Sequence, residues 1–243
     1  MILPQLITLL EELDVEGVAP EKALEADLGM DSQELLCLRE DIEKRMDVTL
    51  ADDDLDGERT VAGLAALISR KQLPLPSPAA FDGMLVEDVI IAAPMREVWD
   101  GLFDVTTWPK KLPHVVAIDV SYDDGRYQEF VMDVDGADGK RISVRSVRRC
   151  TPDRITFFQP RPPVFLRHHC GEWFFRDLGD GMTHLMTMHR WNLADGASAA
   201  EGIRIAGLLR EHARLALDTW KGILETAQLA TGRLETVRLE TVS

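Results

Sequence analysis

Three prolines at alternate positions, Pro74, Pro76 and Pro78, constrain this chain more than any other feature. Each fixes φ and lacks a backbone N–H. The stretch KQLPLPSPAAFDG that holds them therefore forbids helix and favours an extended, semi-rigid linker. The charge changes across it. Residues 1–73 hold 18 acidic and 7 basic side chains, a net of −11, whereas residues 74–243 hold 24 and 20, a net of −4. A chain of 243 residues has room for two domains. The boundaries expected are a first domain over 1–73, a linker over 74–83, a second domain over 84–230 and a tail over 231–243.

Before the linker the pattern is helical throughout. Leu3, Leu6, Leu9, Leu10 and Leu13 follow the helical period, as do Leu35, Leu38, Ile42 and Met46. Thr60 is placed to cap a last helix, TVAGLAALISRK. After the linker the pattern changes. MLVEDVIIAA reads as a strand, and Pro94 then opens a helix, PMREVWDGLF. Strand-like runs follow, separated by turn signals: VVAIDVSY, RYQEFVMDV, KRISVRSVRR, RITFFQ, LRHHCGEWFF and MTHLMTMHRWNL. Their spacing predicts an antiparallel meander, closed by one amphipathic helix from about Ala199 to Ala230. The tail carries RLETV twice, at 233–237 and 238–242, and reads as a frayed, solvated end.

Net charge and cysteines narrow the function. A formal charge of −15 disfavours a nucleic-acid backbone and an anionic membrane surface as partners. Three widely spaced cysteines, Cys37, Cys150 and Cys170, make neither a disulfide framework nor a zinc site, and fit a reducing compartment. No apolar run approaches a membrane span, and MILPQLITLLEELD turns acidic where a signal peptide would be basic, so a cytoplasmic location is expected. His168, His169, His184 and His189 do not suggest a metal. Adjacent strand residues point oppositely, and the odd offset from 184 to 189 separates faces. Phosphate loops and a serine-hydrolase elbow are missing as motifs, and no lysine falls on an inward strand face.

DLGMDSQELL, Asp27 to Leu36, is the most informative local motif. Gly29 interrupts the chain, Asp31 and Ser32 start a helix, and Glu34 stands where a capping box needs it. With helices on both sides in an acidic segment of about 70 residues, this motif resembles an acyl carrier protein. The resemblance covers residues 1–73. It implies a four-helix carrier domain with 4′-phosphopantetheine on Ser32 through a phosphodiester. A phosphate there would meet free N–H groups and the positive end of the helix dipole. The acidic helix from Ser32 would attract basic partner enzymes, including a phosphopantetheinyl transferase.

Residues 84–230 resemble the polyketide cyclase/aromatase branch of the START-like superfamily. APMREVWDGLFDVTTWPKKLPHV, VRSVRR, HHCGEWFF and THLMTMHRWNL carry this resemblance. It implies an α+β chain overall, with a C-terminal helix-grip fold in which an antiparallel sheet curves around a long C-terminal helix and encloses a cavity. Strand alternation puts Ile142, Val144, Ser146 and Arg148 on one face, with His169, Gly171 and Trp173 together and Leu185, Thr187, His189 and Trp191 together. The resemblance implies that Arg148, with Ser146 beside it, clamps a carbonyl or enolate. It makes His189 the polar pocket residue and places Trp108 and Trp173 in the substrate pocket, where alternation adds Thr187 on the face of His189. An imidazole with a reference pKa of about 6.5 suits proton transfer near neutrality, so His189 is the expected acid–base residue and His169 the second choice.

Together these readings describe a carrier–cyclase didomain of aromatic polyketide assembly. It would hold a poly-β-ketone thioester made by ketosynthase and chain-length-factor enzymes, then direct aldol closure and dehydration to a ring. Two other readings stay open: a non-catalytic module that shelters the chain on Ser32, and a fused START-like carrier for free lipid or pigment.

Overall fold

In a computed structural model of the chain, the described residues are 1–51, 54–55, 59–73, 81–135 and 141–231. The linker prolines and both RLETV copies lie outside them. The chain divides into two compact units, Met1–Pro76 with Arg176–His184, and Ser77–Phe175 with Leu185–Ser243.

Three α-helices lie among the described residues of the first unit, against four expected: α1 (Ile2–Glu12), α2 (Ser32–Met46) and α3 (Val61–Lys71). The helical periodicities hold, except that Leu13 falls at the C-cap just beyond α1 and is half-buried. Leu3, Leu6, Leu9 and Leu10 of α1, Leu35, Leu38 and Ile42 of α2, and Leu64 and Ile68 of α3 are all buried. Each such side chain taken out of water contributes roughly 1.5–3 kcal/mol against the entropy of folding. Thr60 caps α3, its hydroxyl accepting from the Gly63 N–H at 3.0 Å.

The second unit starts with β1 (Gly83–Ile91) and α4 (Met95–Phe103), with Pro94 at the N-cap of the helix. A 3₁₀ turn at Val105–Thr107 leads into the short α5 (Trp108–Lys111). The strands β2 (Val115–Asp123), β3 (Tyr127–Asp135), β4 (Arg141–Thr151), β5 (Arg154–Arg161), β6 (Leu166–Gly179) and β7 (Met182–Leu193) follow. All seven strands form one sheet in the order β1-β7-β6-β5-β4-β3-β2. The chain therefore meanders from β2 to β7 and brings β1 to the β7 edge. Helix α6 (Ala199–Ala230) closes the unit, with Ser198 and Glu201 forming its capping box.

Ile205, Leu209, Ala213, Leu217, Trp220 and Leu224 recur every three or four residues and make one buried stripe along α6. The first three pack with Leu85, Leu166 and Trp191. The last three pack with Ile91, Ile155, Phe175 and Leu185. No helix of the described residues is long and apolar enough to cross a membrane.

Candidate functional site

Ser32 is exposed at the first position of α2. Gly29, with φ at +69°, makes the turn that delivers the chain there; the space around it is open, so the backbone conformation is what calls for glycine. The helix start differs from the expectation in one respect. Asp31 already occupies the free N–H groups: its Oδ1 accepts from Gln33 N at 2.8 Å and Glu34 N at 2.9 Å. Glu34 Oε2 accepts in turn from Asp31 N at 2.8 Å. A complete capping box and an exposed serine thus coexist. A phosphate on Ser32 would feel the helix dipole, but the cap would leave it in solvent and off the Gln33 and Glu34 N–H groups. A primary hydroxyl with open space around it fits a phosphodiester-linked arm.

In the second unit the expected alternation of β4 holds from Val144 on: Val144, Ser146, Arg148 and Cys150 are buried, while Ile142 at the start of the strand is half-buried. Arg148 is 3% exposed, and its partners are neutral oxygens and rings. Nη1 donates to Leu102 O at 3.0 Å and Nη2 to Phe103 O at 2.8 Å. Gln128 Oε1 accepts from Nε at 3.2 Å and also from Nη2. The guanidinium carbon lies 5.4 Å from the Trp108 ring and 5.2 Å from the Phe130 ring. Leu102 and Phe103 are the last two residues of α4, so Arg148 caps carbonyls that the helix itself cannot satisfy. Burial lowers its pKa to about 10, and it remains a cation at neutral pH. The planar fork expected to clamp a substrate is thus largely engaged by the protein.

Trp108, expected on the pocket wall, sits beside this cation. Its ring meets Phe130 and Trp220 edge-on, at 6.2 and 6.4 Å between centroids. Trp173 is half-buried and packs on the core that contains Trp220.

His169 and His189 come together. Their rings stack at 5.2 Å, and His169 Nε2 lies 3.0 Å from His189 Nδ1. His169 Nδ1 lies 2.7 Å from Gln159 Oε1, and His189 Nε2 lies 3.1 Å from Thr187 Oγ1. Phe157 presses edge-on against both imidazoles, at 5.7 and 5.3 Å. Gly171 makes room for it: a Cβ there would stand 2.2 Å from Met188 O and 2.5 Å from the Phe157 ring. His168 points to the opposite face and stacks on Phe81 and Phe158, while His184 belongs to the first unit. Among the described residues no three His, Cys, Asp or Glu side chains gather to hold a metal ion.

Register relates the two clusters. Gln128 pairs with Arg148, Arg148 with Phe157, and Phe157 with Gly171, so one rung runs across four strands. At about 4.8 Å per strand, Arg148 and Gly171 are about 10 Å apart, with Phe157 between them. His169 is two residues along from Gly171 on the same face. Arg148 and the histidine pair therefore share a face and are separated by one phenyl ring. Sequence reasoning missed Gln128, Phe157 and Gln159. The signal was present, since Ile155, Phe157 and Gln159 alternate along β5 and place an amide at the level of His169.

The electrostatics depart from the expected pKa near 6.5. Burial, aided by neighbouring His168, pushes His169 down to about 4. Burial, with His169 and then His212, pushes His189 down to about 3. Both rings are neutral at pH 7. In the unfolded chain they would take up protons below about 6.5, whereas the folded chain resists until about 4 and 3. Folded stability is therefore expected to fall as pH drops from about 6.5 towards 4. All five tryptophans belong to the second unit, so their fluorescence isolates its unfolding. The urea midpoint should fall over that pH window in the native sequence and fall less in His189→Asn. Equal slopes in the two would contradict a buried neutral pair.

The phosphopantetheine attachment site family matches residues 4–68. An acyl carrier protein of Exiguobacterium sp. is 36% identical over 58 residues, covering 24% of this chain and 73% of that protein. The chain belongs to the acyl carrier proteins. Its acyl carrier domain takes 4′-phosphopantetheine as its prosthetic group. The granaticin polyketide synthase bifunctional cyclase/dehydratase of Streptomyces violaceoruber is 33% identical over 130 residues, 52% of this chain and 39% of that protein. The chain spans about two fifths of the length of the curated cyclase/dehydratases it matches. The crystal structure of the Zhui aromatase/cyclase from Streptomyces sp. R1128 matches at a TM-score of 0.58 and 22% identity, covering 62% of this chain and 98% of that one. The acyl carrier domain is thus joined to a unit with the aromatase/cyclase, START-like fold.

Proposed function

We propose that the acyl carrier domain holds a poly-β-ketone thioester on a phosphopantetheine arm at Ser32. The second unit then acts as an aromatase/cyclase, guiding aldol closure and dehydration of such a chain. The observation that carries this reading is the inner sheet face, where the aromatic rings Trp108, Phe130 and Phe157 surround a buried cation and a neutral imidazole pair. Ketosynthase and chain-length-factor enzymes would supply the chain, a phosphopantetheinyl transferase would load the arm, and the work would be cytoplasmic.

A methylene between two carbonyls is acidic, and a base held at a pKa of about 3 can take its proton only where the enolate oxygen is stabilised as it forms. His189, partly exposed, is the accessible member of the pair and the proposed acceptor. Its cation, held by burial at a pKa of about 3, is a strong acid. It would hand its proton on readily to a departing hydroxyl, as dehydration requires. Arg148 contributes positive potential near a developing enolate oxygen, and Nη1 keeps one N–H beyond its bond to Leu102. Trp108 and Trp173 would limit how the flexible chain folds, which raises the effective concentration of the reacting carbons.

The test is the product distribution of a reconstituted polyketide synthase with and without this protein. His189→Ala is expected to slow cyclised product by about 10²–10⁴-fold, with tryptophan fluorescence confirming the fold. If the folded variant cyclises as well as the native chain, the unit is a container that shelters the chain and not its catalyst.

A further inference from the structure

With the Gln159 carbonyl oxygen facing His169 and both rings neutral, the hydrogen bonds around the two imidazoles fix one arrangement of protons. The carbonyl oxygen of Gln159 cannot donate, so His169 Nδ1 must carry the proton of the 2.7 Å contact. A neutral His169 then has a bare Nε2, which accepts across 3.0 Å from His189 Nδ1–H. A neutral His189 in turn has a bare Nε2, and the Thr187 hydroxyl donates to it across 3.1 Å. Both rings therefore take the Nδ1–H form, the less common tautomer of free histidine. The direction of the chain is imposed from its Gln159 end.

We propose that Gln159 is a positioning residue that sets the polarity of the Thr187–His189–His169 chain and so keeps the Nε2 of His189 free of a proton. This inference rests on the cyclase reading for its use and, for its existence, on the geometry of two neutral rings. His189 Nε2 takes a proton from a substrate carbon: the C–H bond breaks, the N–H bond forms, and the electron pair passes to the enolate oxygen. The positive charge spreads as the Nδ1 proton of His189 moves towards His169 Nε2, while His169 keeps its Nδ1–H on Gln159. Thr187 is fully buried and adjusts by turning its hydroxyl. Without the Gln159 acceptor the chain can run the other way, with His169 donating from Nε2. His189 would then carry its proton on Nε2 and face Thr187 as a donor, and its basic nitrogen would be lost to the reaction.

The experiment is ¹⁵N NMR of the full chain with labelled histidine at neutral pH, paired with the cyclisation assay. In the native chain both rings should show protonated Nδ1 and bare Nε2. Gln159→Leu should shift both towards Nε2–H and lower the rate of cyclised product by about 10²-fold. Gln159→Glu, which keeps an acceptor oxygen, should retain the Nδ1–H form and most of the product. Nε2–H rings in the native chain would overturn the inference, as would native-like cyclisation by folded Gln159→Leu. If Gln159→Leu does not fold, the native and Gln159→Glu spectra still decide it. Nδ1–H rings in a native chain that makes no cyclised product would leave the inference standing and remove the cyclase reading.

Discussion

Ser32→Ala is expected to abolish loading of the arm. Incubated with a phosphopantetheinyl transferase and coenzyme A, the native chain should gain the mass of one arm, and the variant none. The effect is all-or-none because alanine supplies no oxygen for the phosphodiester. It should also be clean. Asp31, not Ser32, makes the cap bonds of α2, so removing the Ser32 hydroxyl costs no hydrogen bond of the helix. Stability should move by less than about 0.5 kcal/mol, as at most surface positions. Asp31→Ala gives the contrast. It should cost about 1 kcal/mol through the lost cap while leaving the serine in place. A mass gain persisting in Ser32→Ala would show that the arm sits elsewhere.

Arg148→Ala is expected to destabilise the second unit by about 1–3 kcal/mol, the range for leaving a buried acceptor without its donor. Truncation removes the side-chain donor to Leu102 O, and leaves Phe103 O to Gln128 Nε2 at 3.3 Å and Gln128 Oε1 to Cys150 Sγ at 3.7 Å. It also removes the cation from between Trp108 and Phe130. Arg148→Lys should recover little, since one ammonium cannot reach two helix-end carbonyls and a side-chain amide from a planar fork. Urea unfolding followed by tryptophan fluorescence measures both. An unmoved midpoint in Arg148→Ala would mean that the end of α4 does not depend on this residue. The same result bears on catalysis: a rate lost in Arg148→Ala counts as chemistry only in a variant shown to be folded.

The spacing of leucines in α1 and α2, the Thr60 cap and the alternation of Val144, Ser146 and Arg148 were legible in the sequence. Each depends on the local period of helix or strand and on short-range hydrogen bonds. For the same reason the carrier motif could be read from ten residues, because a helix start is a local event. What local period cannot say is which partner a side chain meets. Alternation turned Arg148 inward, yet only the packing of α4 against β4 decided that its guanidinium would hold Leu102 and Phe103. Alternation likewise turned His169 and His189 to one face. Their stacking depends on Phe157 lying over Gly171, a contact between strands that the sequence spaces apart. Reference pKa values pointed to a histidine poised near neutrality. Desolvation is a property of the assembled interior, and it took both rings down to about 4 and about 3. By itself, then, the sequence determined the two families of structure, the exposed serine and the inward set of polar residues. The tertiary structure decided which of those residues are spent on holding the fold and which keep a lone pair for chemistry, because burial and long-range partners, not spacing, set where a proton rests.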